Sequence, residues 1–441
     1  MTDTLERVVT AIPGPRSLRL ARKLAGGETR GVTYFGDDFP VFWDRASGSL
    51  VTDVDGNRYI DATSAFGVAL TGHANPAVAR AIAAQAERLP HAMGDVHPSE
   101  LKARLCAELA ARAPVDDARV YLGSSGADAL EFARKTAFLA TGKSRTVAFA
   151  ASYHGLSYGA LEIGGIAKFR SPWIGQLAGT ADFVAYPRAE EDGSALRALA
   201  EVARILDEDE TGAVVVEPIQ GRAGVIVPPD GFLRELAVLC RERGVVLVLD
   251  EIYTGFGRTG TRFACDRDGV RPDVLCVGKA LGGGFPISAA IVARECADAW
   301  APSGGEALHT ATYLGNPMAC AAALANLIEM DRLDVTRLAH EREAQVGEAL
   351  RAIAGRRAEV GAVRGRGLMW AVDCTNAAVA NATVVRALGH GLILLQTGTG
   401  GASIAFSPPA VIDDAQLARA FALFEAAVDV PAAPSGELVR Q

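Results

Sequence analysis

The chain has 441 residues, 49% of them hydrophobic and 22% charged, with a formal net charge of −8. That length and balance fit a globular protein with a large core and two domains. The negative charge and the lack of a long basic run argue against nucleic acid or an anionic membrane as main partner, and no apolar stretch approaches the roughly 20 residues of a membrane-spanning helix.

The N-terminal stretch carries Asp3 and Glu6 and has no apolar core, so it does not read as a secretory signal. The seven cysteines are scattered without a C-x-x-C spacing, which indicates neither a disulfide framework nor a zinc site. A reducing cytoplasm is the expected compartment.

In chain order, residues 1–85 hold the turn D-V-D-G-N-R-Y at 53–59 and stand outside the alternation that follows. From 86 to 330, short apolar, β-branched runs alternate with amphipathic ones. Strands are predicted at 118–123, 146–150, 183–187, 213–219, 245–251, 274–278 and 287–293, and helices at 129–140, 194–208 and 231–244. Near-continuous apolar strands joined by helices predict an α/β domain with a mostly parallel sheet, covered on both faces, whose ligand lies beyond the carboxyl ends of the strands. From 331 to 441, a charged helix (334–355), short strands (367–374 and 403–409) and an amphipathic helix (413–428) predict a smaller α/β domain. Segment 1–85 is expected to pack with it, and the tail from Pro431 reads as disordered.

Polar groups gather at the strand ends. The strand at 274–278 delivers Lys279 just before three glycines. Such an ammonium reaches water, pairs with an acid or loses its proton, and the stretch alone does not say which. The strand at 245–251 ends in Asp250 and Glu251, either of which alone could be a helix cap. The strand at 118–123 runs into G-S-S-G-A-D-A-L-E-F-A-R-K, a small-residue turn whose free N–H groups and helix dipole suit a phosphate. Ser152-Tyr153-His154-Gly155 follows a fourth strand, and Glu217-Pro218-Ile219-Gln220 ends a fifth.

Other ligand motifs fail. G-F-G-R-T-G at 255–260 opens into no helix, G-S-S-G-A at 123–127 has Ala127 where a nucleophile elbow needs glycine, and T-G-K-S at 141–144 lacks the P-loop glycine. Pyridoxal 5'-phosphate uses all the parts together. It needs a lysine for its Schiff base, an acid at its ring nitrogen, a phosphate cup and a flat group against the ring. Lys279, Asp250, the turn at 124–127 and Tyr153 supply one of each.

D-V-D-G-N-R-Y-I-D-A-T-S-A-F-G, G-S-S-G-A-D-A-L-E-F-A-R-K, S-Y-H-G, V-E-P-I-Q-G, V-L-D-E-I-Y-T-G-F-G-R-T-G, G-K-A-L-G-G-G-F-P, T-A-T-Y-L-G-N-P and S-P-P-A-V-I occur in an order and spacing that resembles the class III (ω-type) aminotransferases of pyridoxal-phosphate fold type I, from Val41 to Phe424. The resemblance implies a large domain with a seven-stranded, mostly parallel sheet plus a smaller α/β domain. It also implies transfer of an amino group between an amine or amino acid and a keto acid or aldehyde. Lys279 would be the Schiff-base lysine and proton carrier, and Asp250 the partner of the ring nitrogen. Gly126 and Ala127 would offer N–H groups to the phosphate, with Ser125 beside them. Tyr153 and Ile252 would flank the ring, Tyr253 would stand near the phenolic oxygen where many relatives have glutamine, and Glu217 would be a supporting acid. Thr312 would reach the phosphate of a neighbouring subunit, which implies a homodimer with shared active sites.

The pattern breaks at two positions. Many relatives have a glutamate after P-I-Q-G and an arginine before F-x-P-P, which together handle the carboxylate of glutamate or 2-oxoglutarate; this chain has Arg222 and Ala405 there. Arg222 either binds an anionic substrate or makes a structural contact. The resemblance leaves racemisation, epimerisation or aminomutase chemistry as alternatives to transamination. An inactive cofactor-binding homologue is disfavoured, because Lys279 and Asp250 are both intact.

Overall fold

The computed structural model describes residues 5–32 and 41–428; the predicted disordered tail lies outside them. Contacts divide the chain into two compact units, one formed by residues 1–75 and 342–441 and the other by residues 76–341.

The second unit is built on a seven-stranded sheet. Its strands are β1 (Arg119–Gly123), β2 (Arg145–Phe149), β3 (Ala181–Val184), β4 (Thr211–Val216), β5 (Val246–Asp250), β6 (Val274–Val277) and β7 (Ser288–Val292). The spatial order is β1-β7-β6-β5-β4-β2-β3. β7 runs antiparallel to both β1 and β6, whereas the other pairs are parallel, so all strands but β7 point the same way. The fold class expected from the sequence is therefore present.

Every residue of β4, β5, β6 and β7 is buried. Covering both faces of the sheet explains why these strands read as unbroken apolar runs. One face packs on helix α1 (Gly126–Thr141) through Ala129, Leu130, Ala133 and Ala137, against Val215, Val248, Val274 and Ala290. α1 begins three residues before the predicted helix. Ser125 caps it, its hydroxyl accepting from the Asp128 N–H at 3.2 Å, while the Asp128 carboxylate accepts from the Ser124 N–H at 2.9 Å. Two orphan donors of the helix start are thereby satisfied reciprocally. The Ser288 hydroxyl of β7 donates to the Ser125 carbonyl at 2.6 Å and fixes the turn from the side.

In the first unit, Trp43–Ser47, Leu50–Asp53 and Arg58–Asp61 form an antiparallel meander, extended by the parallel pairing of Leu392–Ile393. The D-V-D-G-N-R-Y turn joins its last two strands. There the Asp53 carboxylate accepts from the N–H groups of Asp55 and Asn57 at 2.9 and 2.8 Å. A second sheet has the order Val360–Arg366, Met369–Cys374, Ser403–Phe406, Leu395–Thr397, all antiparallel. Ala405 lies in it, opposite Ala371 and Leu395.

The segment after β2 is locked onto the start of α1 at Gly155. Its φ is +114°, and a methyl there would stand 2.8 Å from the Ala127 methyl. Both the left-handed backbone and the close approach require glycine. Gly155→Ala is therefore expected to lower stability by about 1–3 kcal/mol, seen as a lower urea midpoint. An unchanged midpoint would show that the segment is not held by this contact.

Candidate active site

The carboxyl ends of β1, β2, β4, β5 and β6 all open on the same edge of the sheet, and each carries one of the residues singled out above. Asp250 is the last residue of β5, Glu217 follows β4, and Lys279 follows β6 after one glycine. Ser125 and Gly126 follow β1, and Tyr153 and His154 stand a few residues beyond β2.

Ile252 ties three of these ends together. A methyl on Gly126 would lie 3.1 Å from Cδ1 of Ile252, and one on Gly278 would lie 3.2 Å from the same atom. The isoleucine is thus packed between the turn that opens α1 and the residue before Lys279. Its own N–H donates to Oδ1 of Asp250 at 3.0 Å. The second oxygen of that carboxylate, Oδ2, meets Nδ1 of His154 at 2.7 Å. Glu217 joins the group through the backbone, accepting from the N–H groups of Tyr153 at 2.9 Å and Gly221 at 3.1 Å.

Two layers result. Asp250, Glu217 and His154 are buried, whereas Ser125, Gly126, Ala127, Tyr153, Ile252, Tyr253 and Lys279 are partly or fully exposed. A ligand would meet the second set and be backed by the first.

The lysine at the end of β6 is set apart from an ordinary surface lysine. Its φ is +35°, in the left-handed region that side chains with a Cβ rarely adopt. Its Nζ lies 4.0 Å from the centroid of the Tyr253 ring. Loss of hydration pulls its pKa down to about 8, against the opposing pull of Asp250 and Glu217, and Arg258 adds to the decrease. A neutral fraction of amine, the nucleophilic form, is therefore present near neutral pH. Burial pushes Glu217 the other way, up to about 7, with Asp250 reinforcing the rise and His154 and the two N–H donors opposing it.

These residues fit pyridoxal phosphate. α1 is 16 residues long, and among the described residues the N–H groups of Gly126 and Ala127 at its start have no protein acceptor. Free N–H groups and the helix dipole make that turn a phosphate site. Ala127 adds no hydroxyl, but its main-chain donor does not depend on its side chain. Asp250 supplies a buried acid and Lys279 an amine.

Arg222 and Thr312 stand apart. Arg222 is exposed on a turn closed by the Gln220–Ile226 pairing, at 3.1 and 3.0 Å. Burial raises the pKa of the Tyr153 phenol, and the positive charge of Arg222 opposes that rise, so the arginine lies within electrostatic reach of this site. Thr312 is exposed and, among the described residues, makes no hydrogen bond to the strand-end group. Its neighbours are anchored instead, Thr310 to Asp95 and Tyr313 against His91.

Two features escape sequence reading. Glu251, adjacent to Asp250, turns away and accepts from Thr254 at 2.8 Å and from the N–H groups of Ala264 and Cys265 at 2.8 and 2.9 Å, so it holds the following loop. The contact of His154 with Asp250 had only one signal, the position of both residues at strand ends. A surface groove of about 490 Å³, lined by Glu131, Arg134, Lys135, Phe138, Trp300 and Leu308 among others, lies farther along α1 and holds none of the strand-end residues.

Comparison with known proteins agrees with this chemistry. Residues 34–428 match the family model "Aminotransferase class-III". The chain is 38% identical to an acetylornithine aminotransferase of Methanosarcina mazei, over 76% of this chain and 79% of that protein. It is 34% identical to the 4-aminobutyrate aminotransferase of Escherichia coli, over 89% of this chain and 95% of that one. An amine transaminase from an uncultivated Pseudomonas species, solved with pyridoxal phosphate bound, superposes with a TM-score of 0.84 at 28% identity, covering 91% of this chain and 99% of that one. The chain belongs to the class III aminotransferases and is a pyridoxal-phosphate-dependent aminotransferase.

Proposed function

We propose that this aminotransferase takes its amino group from an amine that also carries an anionic group, bound by Arg222, and passes it to a keto acid or aldehyde. The observation that carries the reading is the placement of Arg222, exposed at the mouth of β4 with its charge acting on Tyr153. Two similar proteins are named for acetylornithine and 4-aminobutyrate, both amines that bear a carboxylate.

When bound, pyridoxal phosphate supplies an electron sink for the bond broken at the substrate carbon. The protein's part is to hold, orient and move protons. Nζ of Lys279 would hold the cofactor and would move a proton to and from the substrate carbon, and its lowered pKa suits it to both tasks. Asp250 would face the ring nitrogen, and Gly126 and Ala127 would hold the phosphate beside Ser125. Tyr153 and Ile252 would bracket the ring and Tyr253 would offer its hydroxyl to the phenolic oxygen, while Glu217 fixes Tyr153 by accepting from its N–H. Thr312, exposed on its own subunit, completes the phosphate site of a second copy in a cytoplasmic homodimer.

Lys279→Ala should abolish both the visible absorption of the bound cofactor and turnover; wild-type activity in that variant would remove Lys279 from the role. Dilution to the point where the dimer dissociates should release cofactor in parallel. A monomer that keeps full occupancy in analytical ultracentrifugation would refute the shared site. For Arg222→Ala, kcat/KM should fall about ten- to a hundredfold on anionic amines and change little on neutral ones, with Arg222→Lys recovering part of the loss. Equal losses on both amine types would give Arg222 a structural role instead.

A further inference from the structure

We infer that the aromatic face of Tyr253 is the resting place of the Lys279 amine, a positioning contact that holds Nζ whenever the lysine is not bonded to cofactor. The inference rests on the reading of Lys279 as the lysine that bonds to the cofactor. It gives the ring of Tyr253 a task separate from that of its hydroxyl.

Lys279 is fixed at its base but has no polar anchor at its tip. At the base, a φ of +35° and the packing of Ile252 against Gly278 set where the side chain leaves the backbone. At the tip, among the described residues, Nζ makes no hydrogen bond and no ion pair, although Asp250 and Glu217 act on it through their fields. Both acids are engaged elsewhere. Asp250 meets the Ile252 N–H and the His154 imidazole, and Glu217 accepts from the N–H groups of Tyr153 and Gly221. What meets the amine is the ring of Tyr253, whose centroid lies 4.0 Å from Nζ. That is well inside the roughly 6 Å within which a ring face attracts a cation.

Tyr253 directly follows Ile252. One residue therefore packs on the glycine before the lysine, and the next sets its ring against the far end of the lysine side chain. Glutamine, which many relatives carry at this position, has no such face.

A released lysine would have two tasks in sequence. The lone pair of the neutral amine would take a proton from the substrate carbon, and the ammonium so formed would give that proton up at the cofactor. A ring face attracts the ammonium and tolerates the neutral amine, with no hydrogen bond to be broken at each transfer. It also bears on proton affinity. Burial and Arg258, in the loop after β5, lower that of Lys279, whereas Asp250 at the end of β5 and Glu217 beyond β4 raise it. The ring acts on the side of the acids, because it favours the charged form.

The test uses the full-length chain stripped of cofactor. It reads, against pH, the rate at which the visible band grows when saturating pyridoxal phosphate is added. The neutral amine is the reactive form, so the midpoint reports the proton affinity of Lys279. Wild type is compared with Tyr253→Phe, Tyr253→Leu and Tyr253→Gln. Loss of the ring in the leucine and glutamine variants should lower the midpoint by about 0.5–1 pH unit. In the same two variants, loaded with cofactor, transfer from an amine deuterated at its reacting carbon should slow about three- to tenfold and show a larger isotope effect. Phenylalanine keeps the face and should lie closer to wild type than to glutamine in both readouts. A wild-type or raised midpoint in either the leucine or the glutamine variant overturns the inference. So does an unchanged isotope effect in both, or a phenylalanine variant shifted as far as they are. If the leucine variant does not fold, glutamine, the residue of many relatives, decides alone. The contact of the hydroxyl with the phenolic oxygen is read separately, from the pH midpoint of the visible band in loaded Tyr253→Phe, and its failure leaves the ring contact standing. A Lys279→Ala variant that still develops the band would refute the bond to cofactor, and the inference with it.

Discussion

A fully buried strand can carry a charged side chain only where it ends, and this site follows from that constraint. β4, β5 and β6 are buried at every position, so an acid or a lysine within them would lose its hydration with nothing to replace it. Asp250 closes β5, Glu217 comes directly after β4, and Lys279 comes one glycine after β6. Parallel pairing then brings those ends to one edge of the sheet. The polar groups are adjacent because the apolar ones had to be paired first.

The strands were legible because that constraint is written in composition. All seven fall within a few residues of their predicted limits, since β-branched runs bounded by small or polar residues leave little choice. The exceptions have local causes. The run at 213–219 stays apolar on either side of Glu217, but β4 stops at Val216, because Pro218 has no N–H with which to continue the ladder. α1 starts at Gly126, before any amphipathic period is visible, because a serine cap and its reciprocal aspartate define the start. The position of β1 was not legible. It pairs with β7, the last strand of the set, and nothing local announces a pairing across more than 160 residues.

Neighbouring acids show where composition stops being informative. Asp250 and Glu251 share the end of one strand, and the alternation of side chains sends them to opposite sides. One meets an imidazole from beyond β2; the other gathers three donors from the loop that follows. Either acid, read alone, could have been the cap. The segment at 151–155 brings His154 to Asp250, and Gly155 in that segment lies against Ala127. A glycine's function here is to let a histidine approach.

Burial also sets the chemistry of the assembled group, because it acts in opposite senses on acids and bases. It lowers the proton affinity of Lys279 to about 8 and raises that of Glu217 to about 7, so two groups that differ by six units in water come within about one unit of each other. Near neutral pH each group then has both its protonation states within reach. Asp250 stands in the same group with both oxygens engaged, one by the Ile252 N–H and the other by the His154 imidazole, so its carboxylate is fixed in place.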